Sequence, residues 1–225
     1  MRKPSDLGFP DDGFELPPLV ERETIVKSDF RRDGYLLSLP AIDMHEQREE
    51  RRNTIKDRCE QAASDVASHD GHSVAWCHLN EEADTLEKMI PDSLQVSGSM
   101  SDEKKEERLL AFTNGDLKVL VTKPKIGAWG LNWQHCHNVV MFPSYSWEQY
   151  YQSVRRCYRF GQVKSVNVNI ITTEGELNVL RSLKRKAEQT EQMFDSLVRE
   201  MNHELNIEKV AYGNEPTSLP EWMKQ

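Results

Sequence analysis

The sequence QSVRRCYRFGQ, residues 152–162, lies a short way downstream of TKPKIGAWGLNW, residues 122–133. In the first segment Gln152, Arg156 and Arg159 are spaced i, i+4 and i+7, which on a helix places them along one stripe. Arginines on one face repel one another slightly, and each guanidinium offers five donors in a rigid fork that suits phosphate. We therefore expect this face to hold a polyanion.

The upstream segment reads as a strand that ends in Thr122-Lys123 and continues into a bend containing Gly127 and Gly130. Glycine allows positive φ or a close backbone approach, so backbone N–H groups and the Lys123 amine are able to meet a phosphate. Taken alone, a Gly-x-x-Gly turn is more simply a tight turn. Asn132 and the arginine-bearing helix that follow favour the phosphate interpretation.

Together the two segments resemble the last two motifs of superfamily-2 helicases and translocases, in particular the Snf-type branch and the related phage helicases. Those proteins have a strand ending in T-K, a Gly-rich bend and G-L-N, and then Q-x-x-x-R-x-x-R-x-G-Q on a helix. The matching residues here are Thr122-Lys123, Gly127, Gly130-Leu131-Asn132, Gln152, Arg156, Arg159 and Gly161-Gln162. The resemblance extends over residues 72–175. One departure is Gly127-Ala128, where the family usually has two adjacent glycines.

The resemblance implies site residues of three kinds. Arg159 is expected to be an arginine finger, Arg156 its companion on a nucleoside triphosphate, and Gln152 a hydrogen-bonding partner of the phosphate or of the other lobe. The nucleotide cleft is expected to include Gly127, Gly130 and Asn132, and the nucleic-acid contacts to be Thr122, Lys123 and Lys125. The alternative is a surface-basic helix on another α/β domain, with the arginines in a salt-bridge network.

Two motifs of a complete motor are missing from the sequence. It contains no GxxxxGK[ST] phosphate loop and no apolar strand ending in an acidic D-E-x-x box for magnesium. Superfamily-2 motors hydrolyse ATP between two RecA-like lobes, and this chain resembles only the second. We therefore expect ATP and Mg²⁺ as cofactors only when a first lobe is supplied in cis or in trans, and no turnover by the chain alone.

Short apolar segments alternate with helical patterns through the middle of the chain. The predicted strands are residues 73–77, 94–96, 118–122, 138–142 and 166–172. Strands separated by helices imply a parallel sheet covered on both faces, and right-handed crossovers make it doubly wound. The predicted fold is an α/β, RecA-like domain with a long C-terminal helix. Ligands of such sheets bind beyond the carboxyl ends of the strands, where both motifs fall.

Three regions are predicted along the chain. Residues 1–40, rich in Pro, Gly and Asp, are expected to be an extended linker from a first lobe, with one possible short strand at 23–26; a flexible tail is the alternative. Residues 41–175 are the helicase C-terminal RecA-like domain. Residues 176–225 are a brace helix and tail. The heptad-like spacing in that helix also permits a coiled-coil dimer, which is disfavoured because Ala187 and Thr190 weaken the seam.

A helical pattern from 43 to 67 begins with HEQREERRN, which is charged on all sides. Arg48, Arg51 and Arg52 in these turns are candidates for a nucleic-acid contact. Because glutamates alternate with them, a helix face whose charges pair with one another is the favoured interpretation.

Composition restricts the partners and the compartment. The net charge of −8 argues against bulk electrostatic binding of nucleic acid, so any contact must be local. No apolar run has the length of a membrane span and no apolar segment follows Met1, so neither a membrane partner nor a signal peptide is expected. Four separated cysteines without a CxxC pair favour the reducing cytoplasm, here of a bacterial or phage-infected cell. The candidate local patch is Lys118, Lys123, Lys125, Arg155, Arg156 and Arg159.

Two further groups of residues are candidates for metal binding and base stacking. His135-Cys136-His137, with Cys77-His78 as partners, lacks the paired spacing of zinc sites, so no metal is predicted. Aromatic residues near the arginine helix suit base stacking, but burial of alternate residues is the commoner explanation. They are Tyr145, Trp147, Tyr150 and Tyr151.

The favoured function is the second motor lobe of an ATP-dependent helicase or translocase acting on nucleic acid, with DNA favoured over RNA. The alternative is a non-catalytic RecA-like module that binds nucleic acid or a partner motor.

Overall fold

The computed structural model describes Ser5 and residues 10–31, 40–41, 43–128 and 130–212, with Met44 and residues 202–212 as backbone alone. It divides into two compact units, Glu15–Ala187 and a second formed by Met1–Phe14 and Glu188–Gln225. The first unit contains the sheet and the candidate site. The described part of the second is mainly helical.

The sheet of the first unit is parallel throughout. Its order is β1-β6-β5-β2-β4-β3, and every neighbouring pair is parallel. This order confirms the predicted α/β RecA-like fold class. The strands are β1 (Leu19–Val26), β2 (Ser73–Trp76), β3 (Ser93–Val96), β4 (Val119–Thr122), β5 (Asn138–Met141) and β6 (Val166–Thr173).

Helices connect successive strands from β2 onwards, as parallel neighbours require. The long C-terminal helix is confirmed and begins directly after a 3-10 turn at Glu174–Glu176. Among the described residues, each helix is too short or too polar to cross a bilayer. The helices are α1 (Met44–Asn53), α2 (Ile55–Ala67), α3 (Asn80–Met89), α4 (Asp102–Asn114), α5 (Pro124–Gly127), α6 (Trp147–Cys157) and α7 (Leu177–Tyr212).

The sheet is buried on both faces because successive side chains of a strand point in opposite directions. Val74 and Trp76 of β2 lie in one hydrophobic cluster, with residues of α4, α6 and α7. Ala75 and Cys77 lie in the other, with residues of α2 and α3. The carboxyl ends of the strands remain available for the loops that carry the candidate site.

Strand β1 differs from the sequence expectation in length and in partner. The prediction was one possible strand at 23–26, whereas β1 runs from Leu19 to Val26 and pairs with β6 along its whole length. An edge strand tolerates charged side chains, so its apolar pattern is weak and is difficult to detect in sequence. Glu23 on this strand forms an ion pair with Lys184 at 2.6 Å. The proposed boundary of the linker near residue 40 stays a prediction.

The predicted helix over residues 43–67 is two helices that meet at Thr54. The Thr54 hydroxyl donates to the carbonyl of Glu50 at 2.8 Å. The carbonyl of Arg51 accepts from the Arg58 guanidinium at 2.6 Å rather than from a helical N–H. A buried arginine that lies further along the chain therefore interrupts the helix.

Candidate functional site

The arginine-bearing helix is shorter than predicted, and Arg159 lies beyond its end. Helix α6 is capped at its start by Ser146, whose hydroxyl accepts from the N–H of Gln149, and it ends at Cys157. The carbonyl of Arg156 accepts a hydrogen bond from the N–H of Trp133 at 2.8 Å, so it is not part of a further helical turn. The expectation that Arg159 continues the helical stripe was therefore wrong. It lies in the turn that leads to Gly161, whose φ is +91°.

Arg156 holds the 131–134 loop against α6. Its side chain donates to the carbonyl of Leu131 at 2.9 Å, and to the backbone and side-chain oxygens of Gln152 at 3.2 Å each. The residue is only 9% exposed. Burial, and secondarily the charge of Arg159, lower the pKa of Arg156. Gln152 and Arg156, both predicted site residues, are thus in direct contact, and much of the Arg156 guanidinium is used internally.

Arg159 is oriented by Asn132, a residue 27 positions away in the sequence. Its guanidinium donates to the Asn132 side-chain oxygen, and among the described residues it has no carboxylate partner. The neighbouring Gln134 side chain donates to the carbonyl of Phe160 at 2.7 Å, which fixes the same turn. Arg159 is half-buried, so a guanidinium with spare donors is presented at the surface beside Arg156.

The salt-bridge alternative therefore does not describe Arg159. It does not describe Arg155 either, whose guanidinium stacks on the rings of Tyr151 and Tyr158 with centroid distances of 5.1 and 5.5 Å. The Arg155 guanidinium therefore contacts aromatic rings of its own domain, whereas among the described residues the Arg159 guanidinium has no such contact.

Thr122 and Lys123 come at the carboxyl end of β4 but face different environments. The Thr122 side chain is fully buried and its hydroxyl donates to the carbonyl of Val96 at 3.1 Å. Lys123 extends across the sheet edge and donates to the Asn80 side chain at 2.6 Å. The structure thus presents the lysine, and not the Thr122 hydroxyl, at the surface. Lys125 is exposed on α5.

Asn80 is a residue that the sequence interpretation missed. It follows β2, which neighbours β4 in the sheet, and begins α3. A polar residue shortly after an apolar strand is the signal by which Lys123 was predicted. The sequence CHLN at 77–80 has the same signal, so Asn80 could have been predicted as a site residue. The order of strands, which the sequence alone does not show, is needed to place the two residues together.

The two positions in the bend require glycine for different structural reasons. Gly127 is buried, and an added Cβ would lie 2.9 Å from the Thr122 methyl carbon and 3.1 Å from the Trp133 ring. Gly130 is exposed, has φ +76° and has open space around it. Close packing therefore accounts for Gly127 and a left-handed turn for Gly130. Their expected contact with a nucleotide stays a prediction.

The predicted basic patch is divided between the two edges of the sheet. Lys118 directly precedes β4 and Lys123 directly follows it. In a parallel sheet these positions lie at opposite ends of the strands, so Lys118 is not part of the same local group as the lysines and arginines at the carboxyl ends. That part of the patch prediction was wrong.

The two groups considered for metal binding, 135–137 and 77–78, also lie at opposite ends of neighbouring strands. Residues 135–137 precede β5, whereas Cys77 and His78 follow the neighbouring β2. His135 packs against His72 and His137 against His69, with ring centroids 4.8 and 4.6 Å apart. Within the described part of the chain, no group of three or more His, Cys, Asp or Glu side chains is arranged to hold a metal ion.

The aromatic residues of α6 divide between the core and the surface. Tyr150 is buried and donates its hydroxyl to Glu21 of β1, and burial raises the pKa of this tyrosine. Tyr151 is 36% exposed and Trp147 is half-buried beside it. Alternating burial, the interpretation favoured from the sequence, accounts for Tyr150.

Comparison with known proteins agrees with this geometry. Residues 54–161 match the family model described as the helicase conserved C-terminal domain. The bifunctional helicase and thymine dioxygenase JBP2 of Leishmania infantum is 35% identical over 106 residues, which are 45% of this chain and 10% of that protein. The TATA-binding protein-associated factor mot1 of Schizosaccharomyces pombe is 31% identical over 110 residues, 44% of this chain and 6% of that protein. The chain thus spans about a tenth or less of the length of these curated relatives.

Solved structures show the same fold. S. cerevisiae Dbp5 bound to RNA and ADP BeF3 has a TM-score of 0.51 at 19% identity, covering 58% of this chain and 36% of that chain. The Dbp5 C-terminal domain bound to Gle1 and IP6 has a TM-score of 0.51 at 13% identity, covering 66% of this chain and 93% of that chain. The sheet, the matched residues and these shared folds together make this chain similar to the C-terminal RecA-like lobe of helicases.

Proposed function

We propose that this chain is the second motor lobe of an ATP-dependent nucleic-acid helicase or translocase of the Snf-like type. Its role is to supply Arg159 as the arginine finger to a triphosphate bound by a first lobe. The observation that carries the proposal is the geometry at the end of α6: Arg159 is oriented by Asn132 and has no carboxylate partner among the described residues. An unpaired guanidinium in a fixed position suits the charge that develops during phosphoryl transfer.

Arg156 and Gln152 have a supporting part in this proposal. The Arg156 side chain is bonded to the carbonyl of Leu131, so it fixes the loop that carries Asn132 and, through it, Arg159. ATP with Mg²⁺, bound by the first lobe, would supply the phosphoryl group. The donor set suits that group, because the side chains of Gln152, Arg156, Arg159 and Asn132 all carry N–H donors and none of them is a carboxylate.

The nucleic-acid contact is assigned to Lys123 and Lys125, with Asn80 as an added member. Lys123 and Asn80 are hydrogen-bonded at the carboxyl edge of two neighbouring strands, where ligands of parallel sheets bind. Thr122 acts by holding this end of β4 to β3. DNA is favoured over RNA because of the Snf-type resemblance, and the cytoplasm of a bacterial or phage-infected cell is the proposed location.

A second candidate function is a non-catalytic module that binds a partner motor or nucleic acid. One observation favours it: in the unit formed by Met1–Phe14 and Glu188–Gln225, the apolar residues Met193, Leu197 and Met201 recur every four positions on α7 and are 54%, 50% and 42% exposed. A stripe of this kind suits an adaptor helix.

The test begins with the coding DNA upstream of Met1. A frame that continues into GxxxxGK[ST] and an acidic magnesium box provides the intact motor, in which Arg159→Ala is compared with Arg155→Ala. We expect Arg159→Ala to reduce nucleic-acid-stimulated ATP hydrolysis on the order of 10³–10⁵-fold. Arg155→Ala is the matched control, because it removes an equal charge from the same helix end. Unchanged turnover in Arg159→Ala would reject the finger, and an upstream stop codon without a separate first lobe would favour the adaptor.

A further inference from the structure

Helix α1 has one face anchored to the sheet and another face that is basic. The inner face is held by Arg51, which donates to Glu176 at 2.7 Å and to the carbonyl of Pro143 at 2.7 Å. Glu50 on the same side accepts from the Thr173 hydroxyl at 2.8 Å. Because Pro143 follows β5 and the other two partners end or follow β6, α1 is fixed at the carboxyl edge of the sheet.

The outer face carries Arg48 and Arg52, spaced i and i+4. Both are exposed, and neither has a hydrogen bond, ion pair or ring contact with the residues described. They line a cleft of about 490 Å³ together with His45, Glu49 and Asn53. Among the described residues, the charge pairing favoured from the sequence is therefore not found for these two arginines, although Arg51 does pair with a buried carboxylate.

The positions along the helix explain why the two arginines find no partner within α1. The helical neighbours of Arg48, three and four residues away, are Met44, His45, Arg51 and Arg52, and none is acidic. Arg52 has Glu49 within reach, but the two do not form an ion pair. Like charges at i and i+4 destabilise a helix slightly, so the arrangement does not serve the stability of α1.

We infer that Arg48 and Arg52 are a second phosphate-binding point for the nucleic acid on this lobe. The inference rests on the proposed function, because it extends the contact at Lys123. Strands β4 and β6 are three positions apart in the sheet, with β2 and β5 between them, which is about 14 Å at the usual strand spacing. The carboxyl ends of these four strands lie on the same side of the sheet. A sugar-phosphate backbone lying along that edge reaches both points. Exposed guanidiniums that have no partner among the described residues can donate to phosphate oxygens.

The experiment is fluorescence anisotropy of a labelled thirty-nucleotide oligo-dT with the full chain, titrated across a series of salt concentrations. Arg48→Gln/Arg52→Gln removes the proposed contacts. Lys88→Gln/Lys118→Gln is the matched control, since it removes two charges from exposed positions near the opposite edge of the sheet. Circular dichroism confirms that each variant is folded.

Counterion release sets the expected magnitudes. Each phosphate contact on a single strand contributes about 0.7 to the slope of log K against log salt, so the arginine variant should lose about 1.4. At 50 mM salt this corresponds to up to about 60-fold weaker binding, whereas the control should change by less than about twofold. Glu49→Gln, which removes a carboxylate from the cleft, should strengthen binding, an effect that a purely structural role would not produce.

Three results would overturn the inference: equal slopes for the arginine variant and the control, no binding of oligo-dT by the wild-type chain at 50 mM salt, or tighter binding of polyglutamate than of oligo-dT at equal ionic strength. The last would make an acidic protein the occupant. Failure of this inference can be distinguished from failure of the proposed function, because the two are tested by different assays. ATP hydrolysis by the intact motor tests Arg159, and DNA binding by this chain tests Arg48 and Arg52.

Discussion

Replacing Arg58 by leucine tests the buried charge network that underlies the carboxyl edge. The Arg58 side chain is fully buried, as is Glu82, to which it donates at 2.8 Å. A second buried carboxylate, Glu176, lies 3.7 Å away. Arg58 also ends α1 through the Arg51 carbonyl, so one side chain connects helices α1, α2 and α3 with the end of β6.

The expected cost follows from which charges remain. Glu176 keeps Arg51 as a partner, but Glu82 loses the guanidinium that compensates its burial. Breaking a buried pair on one side costs about 3–5 kcal/mol. A domain with a stability of about 5–15 kcal/mol therefore loses a large fraction of it. The matched control is Lys56→Leu, which breaks an exposed pair with Glu60 at 3.7 Å and should cost less than about 1 kcal/mol.

The loss should depend on pH with a definite sign. Burial raises the pKa of Glu82, but Arg58 and the N–H groups of Leu79 and His78 outweigh it and hold that pKa below its ordinary value. In the wild type this carboxylate therefore stabilises the fold above the unfolded pKa, and the contribution is lost only as pH falls through the lowered folded pKa. Without Arg58, burial dominates and the pKa rises. The carboxyl then becomes neutral as pH falls, and the penalty of the substitution becomes smaller.

The assay is urea denaturation followed by far-ultraviolet circular dichroism at pH 7.5 and at pH 5. We expect the difference in unfolding free energy between wild type and Arg58→Leu to be larger at pH 7.5. Arg58→Leu/Glu82→Gln should recover part of the loss, because the neutral amide removes the buried charge while its oxygen still accepts from the N–H groups of His78 and Leu79. A loss below about 1 kcal/mol, or a loss that is equal at both pH values, would refute the reasoning.

Two further predictions concern single positions near the site. Gly127→Ala places a methyl group 2.9 Å from Thr122 and 3.1 Å from Trp133, and should cost about 1–3 kcal/mol of unfolding free energy in urea; an unchanged midpoint would contradict the close packing. Burial, and then the charge of Arg51, lower the pKa of His78 to about 4, so the folded state loses stability as pH falls from about 6.5 towards 4. His78→Gln should therefore make the fall of the melting temperature over that range less steep, and identical slopes would contradict the assignment.

The predicted strands from β2 to β6 were found to within about one residue because their signal is local. Four-residue apolar segments such as 119–122 and 138–141 are buried on both faces, and strands of that kind read as continuous apolar runs. Helix α4 ends in the same local way, at Gly115, which takes φ +85° at the C-cap. Of the candidate site, Gln152, Arg156, Arg159 and Asn132 are predicted from the motifs, and the structure pairs Gln152 with Arg156 and Asn132 with Arg159.

The sequence by itself determined the α/β alternation, the parallel sheet and the loops at its carboxyl edge, because periodicity and turn residues act over a few positions. The tertiary structure alone decided which charged residues have partners. Arg51 pairs with Glu176, 125 positions away, whereas Arg48 and Arg52 on the same helix have no partner within the described part of the chain. It also decided that α6 ends before Arg159, because the N–H of Trp133 takes the Arg156 carbonyl. Contacts between residues distant in sequence leave no periodic pattern, so only the folded chain shows them.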